Sequence, residues 1–229
     1  MKKKILFVTG TRADFGKLKS IISLSKSNNK FQTFIAVTGM HMLKGYGNTY
    51  TEVEKSFKKN IYKFKNQSLG DNLETILTKT IDKFSKIVKK IQPDLIVIHG
   101  DRVESLACAL VGSLNHILTA HIEGGEVSGN IDDSIRHAVT KLCHVHFVGN
   151  KKAKSRVINM GEKKNCVFNI GSADIDIILS KNFKSIEKVK KNYDITFKKY
   201  AIFLWHPVTS ELEKLKRNTN KLVEFINHS

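Results

Sequence analysis

The feature that most constrains this chain is the alternation, from its first residues onward, of short apolar runs with stretches of helical period. The runs KILFVTG (4–10), FQTFIAVTG (31–39), DLIVIHGD (94–101) and ILTAHIEGG (117–125) are nearly continuous in apolar character. Strands covered on both faces read this way, whereas half-exposed strands alternate. Between the runs, apolar residues recur at steps of three and four. Leu18, Ile21, Ile22 and Leu24 form one such set, and a longer one runs from Leu73 through Ile76, Phe84 and Val88 to Ile91, closed by Pro93. Residues 103–114 predict a helix of small and apolar side chains, 132–142 predict another, and 144–150, 151–160 and 166–172 continue the alternation. Repeated strand, helix, strand order means βαβ units and parallel pairing. The expected fold class is therefore α/β, a doubly wound parallel sheet. The loop 39–49 is too long and polar to be mere connection.

At 229 residues the chain exceeds one ordinary core of roughly 100–200 residues and falls short of two. The pattern predicts a domain over 1–180 and a Lys-rich interdomain segment over 181–199. Residues 200–229 read as the first strand (200–207) and first helix of a truncated second domain, with Leu212, Leu215, Leu222, Val223 and Ile226 able to share a face. The formal net charge of +18 invites nucleic acid as a partner. Only five of the 39 basic residues are arginines, and the lysines are scattered over many segments, which predicts solvated helix faces and no nucleic-acid partner. Cys108, Cys143 and Cys166 have no paired spacing of the kind zinc or redox motifs need, so they read as core thiols of a reducing compartment. The first apolar run, about five residues, is too short for a secretory segment, and nothing approaches the ~20 residues of a membrane span. The expectation is a cytoplasmic protein with no membrane partner.

Ligands of open α/β sheets bind beyond the carboxyl ends of the strands. The residues found there are Thr9 to Asp14, Thr38 to His41, His99 to Arg102 and His121 to Gly125. Acids, imidazoles and arginines thus converge from four strand ends. The turn at Gly10 has neither the dinucleotide fingerprint nor the P-loop spacing, yet a glycine entering a helix still exposes free N–H groups to an anion, beside Arg12. Asp101 and Glu123 each follow an apolar strand and adjoin glycine, which suits carboxylates in a partly desolvated cleft and acid/base work. Asp132 fits a helix N-terminus equally well without any chemistry.

The ordered set GTRAD (10–14), VTGMH (37–41), HGDR (99–102), HIEGGE (121–126), IDDSIRH (131–137), NIGS (169–172) and WHP (205–207) closely resembles the hydrolysing nucleotide-sugar 2-epimerases. The match runs the length of the chain, and SGNIDDSIRH looks closer to the legionaminic acid branch than to the sialic acid branch. The resemblance implies the Rossmann-like N-terminal domain of a two-domain, glycosyltransferase-B-like fold. It implies a nucleotide-sugar substrate, UDP-N-acetylglucosamine or a GDP- or UDP-linked diacetamido sugar, and no cofactor or metal. It places Asp101, Glu123, Asp132 and His206 in catalysis, Arg12 and Lys17 near the phosphates, and Arg136 with the acids or the substrate. It implies elimination of the nucleotide followed by hydration, in a full-length homo-oligomer. Members carry a complete second domain, so 229 residues alone are expected to turn over little substrate. The competing expectations are a glycosyltransferase N-domain, a non-hydrolysing epimerase, whose members more often read HVEAG, and a silent binding module.

Overall fold

A computed structural model describes residues 1–129, 131–179, 184–204 and 212–228. The chain divides into two compact units, Met1–Asn182 and Phe183–Ser229. In the first unit seven strands, β1 (Lys3–Thr9), β2 (Phe31–Val37), β3 (Ile61–Lys63), β4 (Leu95–His99), β5 (Leu118–Ile122), β6 (Val145–Val148) and β7 (Val167–Asn169), form one sheet in the order β3-β2-β1-β4-β5-β6-β7. Every pairing is parallel. The helices are α1 (Arg12–Ser27), α2 (Tyr50–Ser56), α3 (Leu73–Ile91), α4 (Val103–Leu114), α5 (Ile131–Leu142), α6 (Lys151–Asn159) and α7 (Ala173–Leu179). The fold is the expected α/β, Rossmann-like one.

The continuous apolar runs now have their explanation. Leu6 and Val8 of β1 join Phe34, Ile96 and Ile98 on one face, under Phe84, Val88 and Ile91 of α3 and Cys108 and Val111 of α4. Ile5 and Phe7 point the other way, with Ile35, Val37, Val97 and Ile122, against Phe15, Leu18 and Ile22 of α1. Each fully buried side chain of this size contributes roughly 1.5–3 kcal/mol, so both faces of the central strands must be apolar. Helix ends follow local chemistry. Thr11 caps α1 by accepting from the Asp14 N–H, and Asp14 accepts from the Thr11 N–H in return, a capping box. Asn72 caps α3 by accepting from the Thr75 N–H, and α3 stops at Gln92, whose left-handed backbone (φ 52°) precedes Pro93.

Within the Lys-rich segment 181–199, Ser185 caps a short helix, α8 (Ile186–Asn192). Of the strand expected at 200–207, residues 200–204 take no strand conformation and 205–207 lie outside the described residues. An extended segment becomes a strand only by pairing its N–H and C=O groups with a neighbour, and the described residues offer it none. The helix that follows is α9 (Leu212–Asn227). No helix among the described residues is long and apolar enough to cross a membrane.

Candidate active site

The strand order reverses between β1 and β4: from β1 the chain winds outward to β2 and β3, then returns to place β4 on the other flank. A crevice opens beyond their carboxyl ends, the position where such sheets bind ligands. It encloses about 440 Å³ and is lined by Thr11, Ala13, Asp14 and Lys17 from the start of α1, Met40 after β2, His99 to Arg102 after β4, and Glu123 after β5.

Glu123 is the centre of charge. It follows β5 with a left-handed backbone (φ 65°) that is strained for any residue with a Cβ, and its N–H is fixed to the Phe147 carbonyl at 2.9 Å. The carboxylate then meets Lys17 Nζ at 2.7 and 2.9 Å. His99 Nε2 lies 3.3 Å from Oε2 of the same carboxylate. Burial works against the anion, but His99 and then Lys17 outweigh it and hold the carboxyl at about 2. Glu123 is therefore ionised throughout the neutral range.

Asp101, from the adjoining strand end, accepts from Nη2 of Arg136. Arg136 is buried, and its Nη1 donates to Asp133 at 2.8 Å and to the Glu126 carbonyl at 3.0 Å. Asp133 in turn accepts from the backbone of Gly129 and Ser128, each at 2.7 Å, which holds it below the usual carboxylate range. Arg136 thus joins Glu126 and Asp133 to Asp101.

The glycines of HIEGGE have steric causes. A Cβ on Gly125 would stand 2.5 Å from the Ala153 carbonyl of α6, and Gly125 also has φ 78°. His121 beneath them is fully buried; burial takes it down to about 3, so the ring is neutral. Its Nε2–H donates to the Gly100 carbonyl at 2.8 Å, leaving Nδ1 to face the Thr140 hydroxyl.

Of the residues named from the sequence, Lys17, Asp101 and Glu123 line the crevice and Arg136 joins it through Asp101. Arg12 lines an adjoining cleft with Tyr46 and Thr49, and the two clefts share Thr11, Ala13 and Met40. Asp132 sits in the first turn of α5, outside the lining of either cleft. His206 lies outside the described residues. Three further contributors stand in the strand-end sets read from the sequence, where they were given no individual role. Asp14 accepts from the Gly10 and Thr11 N–H groups and from the Thr9 hydroxyl, closing the turn. His41, fully buried, bridges Thr9 at 3.0 Å and Thr49 at 2.7 Å and ties the 39–49 loop to the end of β1. Arg102 lines the crevice and is held by Glu104 at 3.2 Å. The GTRAD and HGDR strings contain two of these three and were the available signal.

A doubly wound sheet with acids and cations gathered at its switch point defines the chain as an α/β protein with a crevice formed by loops that follow four strands. The family model described as UDP-N-acetylglucosamine 2-epimerase matches residues 24–229, and the chain belongs to that family. It is 46% identical over 209 residues to the UDP-N-acetylglucosamine 2-epimerase of Neisseria meningitidis, covering 91% of this chain and 55% of that protein. It is 34% identical over 229 residues to the GDP/UDP-N,N'-diacetylbacillosamine 2-epimerase (hydrolyzing) of Campylobacter jejuni, covering 97% and 59%. The crystal structure of a Neisseria meningitidis UDP-GlcNAc 2-epimerase bound to UDP-GlcNAc shares the fold with TM-score 0.74 at 23% identity, over 85% of this chain and 53% of that one. The chain thus spans little more than half the length of the curated relatives it matches.

Proposed function

We propose that this chain supplies the catalytic half of a hydrolysing nucleotide-sugar 2-epimerase, homo-oligomeric when complete, that acts on UDP-N-acetylglucosamine or a nucleotide-linked diacetamido sugar in the sialic or legionaminic acid branch. The observation that carries this reading is the pair of carboxylates, Asp101 and Glu123, delivered by neighbouring strand ends into one crevice beside Lys17, His99 and Arg102. The reaction needs such a set. A base removes the C2 proton, the electron pair becomes the C1–C2 double bond, and the C1–O bond breaks with the nucleoside diphosphate leaving as an anion. Water then adds its hydroxyl at C1 while an acid returns a proton to C2 on the opposite face.

Glu123 has no proton to give at neutral pH and enters as an acceptor. Asp101 is oriented by Arg136, and Asp132 and His206 complete the acid/base set by resemblance. Arg12, Lys17 and Arg102 stabilise the departing diphosphate, where developing charge rewards fixed donors. The hydrolysing type is favoured by the HIEGGE and IDDS strings and by the name of the Campylobacter relative; the name of the Neisseria relative lacks that word and favours the non-hydrolysing reading.

The test is incubation of the protein expressed from its gene with UDP-N-acetylglucosamine, and in parallel with the diacetamido sugar linked to UDP or GDP, in heavy water. Release of nucleotide diphosphate with one deuterium at C2 of the free sugar is expected. A nucleotide-linked epimer without release means the non-hydrolysing type, and transfer of sugar without C2 deuterium means a transferase. Asp101→Asn lowers the rate by about 100-fold or more, on the scale of a lost acid/base group.

A further inference from the structure

Glu104 stands in the first turn of α4, where an acid normally faces solvent and favours the helix dipole. Here it faces inward and is 2% exposed. It packs behind the two turn glycines that end β1 and β2: a Cβ on Gly39 would lie 2.8 Å from Glu104 Oε1, and one on Gly10 would lie 3.8 Å from its Cδ. Its Oε2 accepts from Arg102 Nε at 3.2 Å, and Oε1 has no hydrogen-bond partner. Burying a carboxylate with so little compensation is costly, and an apolar side chain of similar volume would serve packing better.

Arg102 makes a matching sacrifice. It holds the N-cap position of α4 with extended backbone and makes no capping bond, at a place where Ser, Asp or Asn would stabilise the helix. Two neighbouring positions thus give up stability, and what they produce together is an oriented guanidinium. With Nε engaged by Glu104, the two terminal nitrogens of the planar fork are left without a protein partner among the described residues, and Arg102 lines the crevice. Lys17 is occupied by Glu123, and Arg136 by Asp101 and Asp133.

We propose that Glu104 is a positioning residue: by gripping Nε of Arg102 it turns both terminal nitrogens of the fork into the crevice, where they meet the diphosphate of the nucleotide sugar. This rests on the nucleotide-sugar reading above, and acts through Arg102 rather than on the substrate.

The experiment is UDP titration into the 229-residue chain, followed by ¹H–¹⁵N spectra that include the Arg Nε–H resonances, for wild type, Glu104→Ala, Glu104→Gln, Arg102→Gln and the double variant Arg102→Gln with Glu104→Ala. UDP shifts the Arg102 Nε–H resonance in wild type. Glu104→Ala weakens UDP binding by about fivefold or more, as expected for a charge-assisted pair. In the Arg102→Gln background the same change weakens it less than about twofold, because coupled groups are not additive. Glu104→Gln keeps an acceptor at the same reach and restores affinity to within about threefold of wild type. A purely structural Glu104 would lower the melting temperature and leave affinity, or its additivity, untouched. The proposal is overturned by a wild type that binds no UDP, by an Arg102 resonance that UDP does not move, or by a Glu104→Ala effect equal in both backgrounds. Should Glu104→Ala fail to fold, Glu104→Asp takes its place in the same cycle, one methylene too short to hold Nε. Failure of the epimerase reading shows separately, as no turnover of any nucleotide sugar by the protein expressed from its gene, with these binding results intact.

Discussion

Replacing Glu123 by Gln tests the electrostatics of the crevice most directly, because the expected loss changes with pH in a way that packing defects do not. The Glu123 carboxyl is held at about 2 where 4.5 is ordinary. At 1.36 kcal/mol per pH unit that difference is worth about 3 kcal/mol of folding stability. The side chain is 26% exposed, so solvent screening takes only part of this. The folded-state value lies below the unfolded one, so the contribution is complete above about pH 4.5 and fades as the pH falls toward 2. Chemical or thermal denaturation of wild type and Glu123→Gln should differ by about 3 kcal/mol at pH 6, or about 6–12 °C in melting temperature for a chain of this size. By pH 3 about three fifths of that difference should be gone. Other acid-sensitive groups cancel in the comparison, since they are common to both proteins. A gap that stays constant from pH 6 to pH 3 would refute the account of Glu123 as an anion stabilised by Lys17 and His99.

Gly39→Ala should destabilise by about 2–4 kcal/mol in urea titration, since its Cβ would stand 2.6 Å from the Gly10 carbonyl at φ 62°; a change below 0.5 kcal/mol would show that the turn yields. Among the three thiols, Cys166 should react with a thiol reagent in the native protein well before Cys108 and Cys143. Burial pushes the latter two well above the ordinary thiol range, and mass spectrometry of early-time adducts identifies which is modified. His121 should show no titration between pH 5 and 8 in ¹⁵N spectra and should keep its proton on Nε2, because burial takes it down to about 3 and Gly100 accepts that proton. A midpoint near 6.5 would contradict its enclosure.

The layout of the sheet was legible because β1, β2, β4 and β5 are covered on both faces, which leaves uninterrupted apolar runs, each closed by a glycine: Gly10, Gly39, Gly100 and Gly124. β3 and α2 were not legible. β3 has three residues paired to β2 alone, at Ile35 with Ile61 to Val37 with Lys63, and α2 has seven, too few for either period to repeat. In the site, Asp101 and Glu123 were readable as acids directly after strands, and the structure places both in the crevice. Glu104 was not, since an acid in the first turn of a helix has an adequate explanation on the surface and nothing local says that this one turns inward. His41 stood among the strand-end residues, but its bridging role was not legible: its partners Thr9 and Thr49 are 32 and 8 residues away and meet only when the loop folds back.

The reversal of strand order at β1 also bears on how the molecule acquires its site in time. The crevice takes residues 11–17 from one wall and residues 99–102 and 123 from the other, so no contiguous stretch can form it. Its completion waits for β1 to dock against β4, a pairing that joins Ile5 to Leu95 across some ninety residues of chain. Long-range parallel pairing of this kind is slow compared with local helix formation. In refolding, competence to bind an anionic ligand should therefore arise late, after helical signal is recovered, and should report on closure of the sheet's centre.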